Sequence, residues 1–286
     1  GQFAVYIGTF TLDEGIHVLA YGSRDFAGNY ELLKTTAVRV DGTSPDVAIA
    51  PQGPSATDEQ GRLAVSSQTP ITLITTDPES NGVSVGAGKP WFLIDVRPSS
   101  CAPNGDPALF PPYDSTKRLG GCRNYIFFST TTYTRAEGTH TVRSIAWDKV
   151  GNTKGWQPTR VDSDSTPPVT TLSVQGSSST GPDGEMLISP ETYLVLNATD
   201  PVSNEVNSGI LATFFLVDKT FESCGWPGEP PHVSTASAGS CLNPYYDAPF
   251  ILPPGSHTIG FLSIDRVLNE EALHVVSVTV SAQVTV

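Results

Sequence analysis

An all-β chain of tandem sandwich repeats, each of about 120 residues, with a half repeat at the N-terminus, is what the sequence predicts. Three observations carry that prediction. A nearly constant offset maps the middle of the chain onto its last part. Short apolar segments alternate with period two, and turn residues separate them at intervals of about 8–12 residues. The 286 residues include 26 glycines and 24 prolines, and no window of a dozen residues shows a convincing 3.6 period.

The offset is 123 residues and needs no gap from Thr43 and Pro45 (Thr166 and Pro168) as far as Cys101 (Cys224). Along the way Thr76-Asp77-Pro78 with Ser80-Asn81 maps to Thr199-Asp200-Pro201 with Ser203-Asn204, and Phe92-Leu93 with Asp95 maps to Phe215-Leu216 with Asp218. The offset then shrinks to 119 at Cys122/Cys241 and to 117 from Gly138/Gly255 onward, so the length difference falls inside the loop between the cysteines, where loops tolerate it. A third copy supplies its second half alone. Gly15-Ile16-His17 with Asp25-Phe26-Ala27-Gly28-Asn29 recurs as Gly138-Thr139-His140 with Asp148-Lys149-Val150-Gly151-Asn152, and as Gly255-Ser256-His257 with Asp265-Arg266-Val267-Leu268-Asn269. The expected units are therefore 1–42, the C-terminal half of a repeat, then 43–165 and 166–286, two complete repeats joined by short proline-ended linkers.

Taken in order, Ile71–Thr76 and Tyr193–Thr199 are rich in β-branched and aliphatic residues and read as strands. Trp91–Val96 and Thr213–Val217 read as a core strand. After each Gly-x-His, one face carries Leu19, Tyr21 and Ser23, then Val142, Ser144 and Ala146, then Ile259, Phe261 and Ser263, and this face is expected to point inward. The Asp-x-x-x-Asn turn, Asp25 to Asn29, Asp148 to Asn152 and Asp265 to Asn269, joins the penultimate strand to the last. Asp accepts backbone N–H groups, and Gly and Asn tolerate positive φ. Leu268 stands where the other copies have glycine, so that turn must differ or carry strain. The last strand alternates Val276, Val278 and Val280 with Ser277 and Thr279. Turn signals, strand count and repeat length together indicate an immunoglobulin-like sandwich.

The chain holds 16 Lys and Arg against 29 Asp and Glu, a net charge of -13, and charged residues make up 16%. An acidic surface repels phosphate backbones and argues against nucleic-acid binding. No run of about 18 apolar residues is present, so no membrane span is expected. Four cysteines allow three pairings; each neighbouring pair brackets a Gly/Pro/Ser-rich stretch, which suggests Cys101–Cys122 and Cys224–Cys241 as loop-closing disulfides, against the alternative of four buried thiols. Disulfides point to an oxidising, extracellular or cell-surface location. One sequon is present, Asn197-Ala198-Thr199. The opening Gly1-Gln2-Phe3 lacks a basic segment followed by an apolar core, as in a chain trimmed or excerpted from something longer.

Glu14-Gly15-x-His17, the Asp25-x-Ala27-Gly28-Asn29 turn and the Val-Asp-x-Thr-x-Pro junction resemble the Ig-like repeats of bacterial surface and secreted proteins, in particular the repeat family named after a leptospiral outer-membrane protein. Asp200-Pro201-x-Ser203, Ser208-Gly209-Ile210 and Phe214-Phe215-x-Val217-Asp218 are similar to that family's middle section, and Tyr246–Leu252 with Gly255–Ile259 to its later strands. The resemblance implies stalk, spacer or adhesive roles, with the cysteine-closed loops as insertions on the family pattern.

No G-x-S-x-G, H-E-x-x-H or Walker-type motif occurs, and Asp95 and Asp218, each closing a strand, have no second carboxylate to work with, so no catalysis is expected. No cofactor is assigned; calcium is the one candidate ion, because hard cations collect oxygen ligands. Asp41 at one junction, Asp162 and Asp164 at the other, and separately Asp77 and Asp200 in their Thr-Asp-Pro turns, are the candidate ligands. The three Gly-x-His histidines lie in different copies and read as rings packed at strand starts. Expected partners are other copies or flanking domains of the same long protein, and a host-surface protein or polysaccharide. Two alternatives to the stalk stand beside it. One is an accessory carbohydrate-binding module of a secreted hydrolase, with Trp226-Pro227 as its exposed candidate. The other is a fibre subunit whose half repeat, apolar at Phe3, Val5, Ile7 and Leu19, is completed by strand donation from a neighbouring chain.

Overall fold

A computed structural model describes residues 4–58, 60–125, 136–182, 184–226, 233 and 235–281. The chain is all-β. In order its strands are β1 (Gly15–Tyr21), β2 (Lys34–Val40), β3 (Asp46–Pro51), β4 (Ser55–Thr57), β5 (Leu63–Ser66), β6 (Ile71–Thr76), β7 (Trp91–Ile94) and β8 (Gly138–Ile145). There follow β9 (Gln157–Asp164), β10 (Val169–Gln175), β11 (Ser178–Thr180), β12 (Met186–Ile188), β13 (Tyr193–Thr199), β14 (Ile210–Val217), β15 (Gly255–Asp265) and β16 (His274–Val280). Helix among the described residues is confined to short 3-10 turns beside the first cysteine of each pair. No helix among them is long and apolar enough to cross a membrane.

The strand order makes the repeat physical. One five-stranded sheet runs β4-β5-β9-β8-β7 and the other β11-β12-β16-β15-β14; the two-stranded sheets are β3-β6 and β10-β13. In each five-stranded sheet one neighbour is parallel, β5 with β9 and β12 with β16, while the hairpins around it are antiparallel. β1 and β2 form a separate two-stranded sheet in register from Gly15 opposite Val40 to Tyr21 opposite Lys34.

Contact density divides the chain into two compact units. The first comprises Gly1–Ala50, Ile71–Thr131 and Thr141–Thr159; the second comprises Pro51–Pro70, Thr132–His140 and Arg160–Val286. In the first, β7 pairs with β8, and Leu93 packs with Ala102 and Phe110 from the cysteine loop and Tyr125 just after it, flanked by Trp91 and Trp156. Trp156 stacks on Phe110 and its indole N–H donates to the carbonyl of Gly105.

In the second unit, β10 and β13 close over the other sheet as a sandwich. Leu194 and Leu196 of β13 meet Ile188, Phe215, Ile259, Phe261, Val278 and Val280, with Leu172 and Val174 of β10 at the margin. Val142, Ser144 and Ala146, and Ile259, Phe261 and Ser263, the face expected to point inward, are all buried; in β1 the equivalent Leu19 is half-buried and Tyr21 is exposed. β14 is buried on its other face too: Phe214 and Leu216 pack with Phe221, Leu262, Trp226 and Tyr245. Alternation puts Phe214 and Leu216 on one side and Phe215 on the other, so the continuous apolar run Thr213–Val217 reflects two covered faces.

The cover comes from the cysteine loops, closed by Cys101–Cys122 and Cys224–Cys241. Each loop returns along the free edge of the sheet. Ile94 and Phe92 donate to the carbonyls of Gly120 and Tyr125, and Val217 and Phe215 donate to those of Gly239 and Pro244. Gly120 (φ 71°) and Gly239 (φ 74°) occupy the same place in both copies, in the left-handed region. A Cβ on Gly239 would lie 2.6 Å from a ring carbon of Phe215, and one on Gly120 would lie 2.7 Å from Ile94. Gly239→Ala is expected to destabilise the third copy by about 2–3 kcal/mol, since strain and collision with a buried ring act together. Urea unfolding monitored by Trp fluorescence measures it.

Candidate functional site

Two clusters of three aspartates form the most distinctive polar feature of the described residues. Asp41, Asp77 and Asp148 bring one carboxylate oxygen each within 4.8 Å of one another, and so do Asp164, Asp200 and Asp265. Asp41 and Asp148 are 9% and 7% exposed, and Asp164 and Asp265 are fully buried. The members have the same origins in both clusters. Asp41 and Asp164 leave the last strand of the preceding copy, Asp77 and Asp200 belong to the Thr-Asp-Pro turn after β6 and β13, and Asp148 and Asp265 open the Asp-x-x-x-Asn turn.

Local hydrogen bonds explain why each side chain is where it is. Asp41 Oδ1 accepts the Thr43 amide (3.0 Å), and Asp164 Oδ1 that of Thr166 (3.1 Å), which bends the linker back on itself. The Val85 amide donates both to Asp41 Oδ2 (3.0 Å) and to Asp77 Oδ2 (2.9 Å), and Gly86 donates to Asp77 Oδ2 (2.7 Å). Ser208 and Gly209 repeat this on Asp164 and Asp200 at 2.6, 3.0 and 2.6 Å. Asp148 Oδ1 accepts the amides of Val150, Gly151 and Asn152, while Asp265 Oδ1 accepts those of Val267 and Asn269. The turn asparagines close the knot: Asn152 Nδ2 donates to Asp148 Oδ2 and to the carbonyl of Asp41, and Asn269 Nδ2 to Asp265 Oδ2 and to the carbonyl of Asp164. In the half repeat, Asp25 makes the same local pair of bonds with Asn29.

The electrostatics follow from burial. Burial pushes the carboxyl of Asp265 above its ordinary range, and the nearby charge of Asp164 adds to it, against the hydrogen bonds from Asn269. Asp200 is raised for the same two reasons, burial foremost. Burial also opposes ionisation of Asp148, but its amide donors and Asn152 outweigh it and hold that carboxyl low.

Asp77 and Asp200, kept apart from Asp41 and Asp164 in the sequence reading, thus sit beside them. Asp162 belongs to neither cluster: its carboxylate takes the Arg160 guanidinium (2.8 Å) and the Thr139 hydroxyl (2.9 Å), because its position in β9 points it to the neighbouring strand. Asp148 and Asp265 were read as turn formers alone. The offset of 117 sets the two at equivalent positions, which is the one signal the sequence carried that both would share a further role.

The Gly-x-His rings stay in separate copies. Each donates from Nε2 to the carbonyl four residues earlier: His17 to Asp13 (2.7 Å), His140 to Ala136 (2.8 Å) and His257 to Pro253 (2.9 Å). Asp218, with φ 54°, receives His257 Nδ1 at 2.7 Å and the Thr258 amide at 2.9 Å. Trp226 corrects the expectation of an exposed platform. It is half-buried, with its ring 5.3 Å from Phe214 and 5.5 Å from Phe221, because the outer face of β14 needs that cover. Its neighbour Pro227 lies outside the described residues, as does Phe3 of the half repeat.

No family model matches this chain. No curated protein matches it either. Among solved structures, it is similar to the fibronectin(III)-like modules of Clostridium thermocellum CbhA, at 13% identity and a TM-score of 0.30, over 82% of this chain and 94% of that one. It is also similar to a tetra-tandem repeat in the extending region of a large adhesion protein, at 16% identity and TM-score 0.25, over 95% of this chain and 58% of that one. A third similarity is to extracellular cadherin domains 3–6 of protocadherin gamma B2, at 11% identity and TM-score 0.24, over 93% of this chain and 57% of that one. Likeness at this level adds nothing to the fold already described.

Two outcomes follow from the site geometry. The third copy's turn keeps the two asparagine-to-aspartate hydrogen bonds of the other two, with Leu268 at φ 65° where Gly28 and Gly151 have 95° and 97°. Leu268→Gly is expected to stabilise the protein by about 1 kcal/mol, read from the shift in urea midpoint. The hydrogen bond to Asp218 raises His257 above its ordinary 6.5, and the bond from His257 lowers Asp218 below its ordinary 3.8. The histidine contribution is complete below about pH 6.5 and fades as pH rises through its higher folded value; the aspartate contribution is complete above about pH 4 and fades as pH falls through its lower folded value. The melting temperature is therefore expected to decline from pH 6 to 8, and His257→Gln to flatten that decline, in a pH series of thermal melts.

Proposed function

We propose that this chain is an extracellular spacer or adhesive segment, a run of Ig-like sandwiches within the stalk or fibre of a larger surface or secreted protein. The folding units are taken as 1–42, 43–165 and 166–286, the first being the latter half of a repeat. One observation carries the reading: both junctions are built alike. A linker aspartate accepts an amide of the following copy, Val85 for Asp41 and Ser208 for Asp164, and the linker threonine donates to a glutamate of the preceding copy, Thr43 to Glu14 and Thr166 to Glu137. Linkers tied at both ends suit a role in setting distance and direction, more than one that needs free swivelling. Two disulfides and no free cysteine suit an oxidising location. The role proposed is non-catalytic. The partners proposed are flanking domains of the same protein, with a surface protein or polysaccharide at its tip.

A second reading has an observation of its own. In the half repeat Val5 is 84%, Ile7 94% and Val18 72% exposed, and β1-β2 is a sheet of two strands, a form marginal in water by itself. In the third copy the equivalent strands β15 and β16 are flanked by β14 and β12. The hairpin of residues 15–40 would take equivalent strands from a neighbouring chain, making the protein a fibre subunit.

Light scattering behind size exclusion, across concentration, separates the two. A monomer near 30.3 kDa at every concentration keeps the spacer and ends strand donation. Oligomers that disappear when β1 and β2 are removed favour the fibre subunit. Antibody against the chain is expected to label intact source cells or their medium; confinement to the cytosol would refute both. Trp226→Ala is expected to lower the melting temperature without changing binding to any polysaccharide, and loss of saccharide binding in a folded variant would restore the accessory-module alternative.

A further inference from the structure

We infer that each three-aspartate cluster is a binding site for one calcium-class divalent cation, two per chain, holding a linker to the copy that follows it. The inference goes beyond the spacer reading and does not rest on it, because the carboxylates converge whatever the compartment.

Charge is the first ground. Each cluster gathers three carboxylates, and among the described residues none of the six forms an ion pair with Lys, Arg or His. Like charges brought together out of water repel strongly unless a cation joins them.

The second ground is independent of the charge count. Asp77 Oδ1 and Asp200 Oδ1 are each shut off from solvent without any hydrogen-bond partner, and Ser208 Oγ beside the second cluster is in the same condition. Buried carboxylate oxygens are almost always met by a donor or a metal. Here the same oxygen is unmet at equivalent residues of both copies, although the other oxygen of each is satisfied by two backbone amides. The local donors are thus arranged to aim the carboxylate, and its remaining oxygen is left for something that is not a protein donor.

The donor set then names the class. All the converging ligands are carboxylate oxygens, without sulfur or imidazole, which suits a hard cation over zinc or copper. Oxygens within 4.8 Å of one another can share one ion at calcium–oxygen distances of about 2.3–2.6 Å. Such an ion would join Asp41, which leaves β2, to Asp77 and Asp148 of the following copy, and Asp164, which ends β9, to Asp200 and Asp265.

The test is titration of the chelator-stripped, full 286-residue chain at pH 7.4 with calcium chloride alone, by calorimetry and by thermal melting. Two ions per chain are expected, with dissociation constants no weaker than about the millimolar values of extracellular modules, and a rise in melting temperature that excess chelator reverses. Asp77→Asn and Asp200→Asn are each expected to leave one ion per chain, and the double variant none, with unchanged far-ultraviolet circular dichroism. If a variant fails to fold, the stoichiometry and the chelator-reversible melt of the unaltered chain still decide. No calcium uptake at 10 mM and no change in melt overturn the inference. Two ions retained in the folded double variant also overturn it, as does equal binding of magnesium alone. None of these results bears on where the protein is located, so failure here is distinguishable from failure of the spacer reading.

Discussion

A strand whose side chains are apolar on both faces must be covered on both, and β14 is such a strand. Phe215 turns into the sandwich core, while Phe214 and Leu216 turn to the outside. Each such side chain is worth about 1.5–3 kcal/mol when fully buried. A two-layer sandwich covers the inner face alone, so the outer face needs a third element. The cysteine loop and its flanks supply it, with Trp226 inside the loop, Phe221 before it and Tyr245 after it as contacts, a disulfide to close the loop and a return segment hydrogen-bonded along β14. The same logic sets the first loop over Leu93. The loops are thus part of the folding unit, not appendages to it.

The junctions use a second economy. One backbone amide, that of Val85 or of Ser208, is shared between two carboxylates from different copies, and one asparagine side chain reaches both its own turn and the linker carbonyl. A turn that would ordinarily reverse the chain and nothing more is therefore placed to read the position of the copy before it. The repeated Asp and Asn have to satisfy two geometries at once, which explains why an Asp-x-x-x-Asn spacing persists even where Leu268 makes the turn costly.

The repeats were legible because offset and spacing are properties of the chain alone. The strands at Ile71–Thr76 and Tyr193–Thr199 were legible because alternation and turn residues agree there. The short strands β4, β5, β11 and β12 were not, since three or four residues are too few to show a period. The junction clusters were half visible. Asp41, Asp77, Asp164 and Asp200 stood out by position, but Asp148 and Asp265 had a sufficient local explanation as turn formers that concealed their long-range one. Asp162 failed because, two residues earlier on the same face of β9, it lies within the ladder and is taken by Thr139 and Arg160, while Asp164 at the strand end reaches the linker. Trp226 was misjudged because exposure cannot be read from a loop until it is known which sheet face the loop covers.

The cysteine loops also guard a strand edge. The free edge and outer face of β14 are covered by residues within and on both sides of the loop that Cys224–Cys241 closes. Without that cover β14 would present an unpaired strand edge beside aromatic side chains, the combination that chains use to stick to one another. One covalent bond thus fastens the neighbourhood of the residues that keep this strand from recruiting another chain.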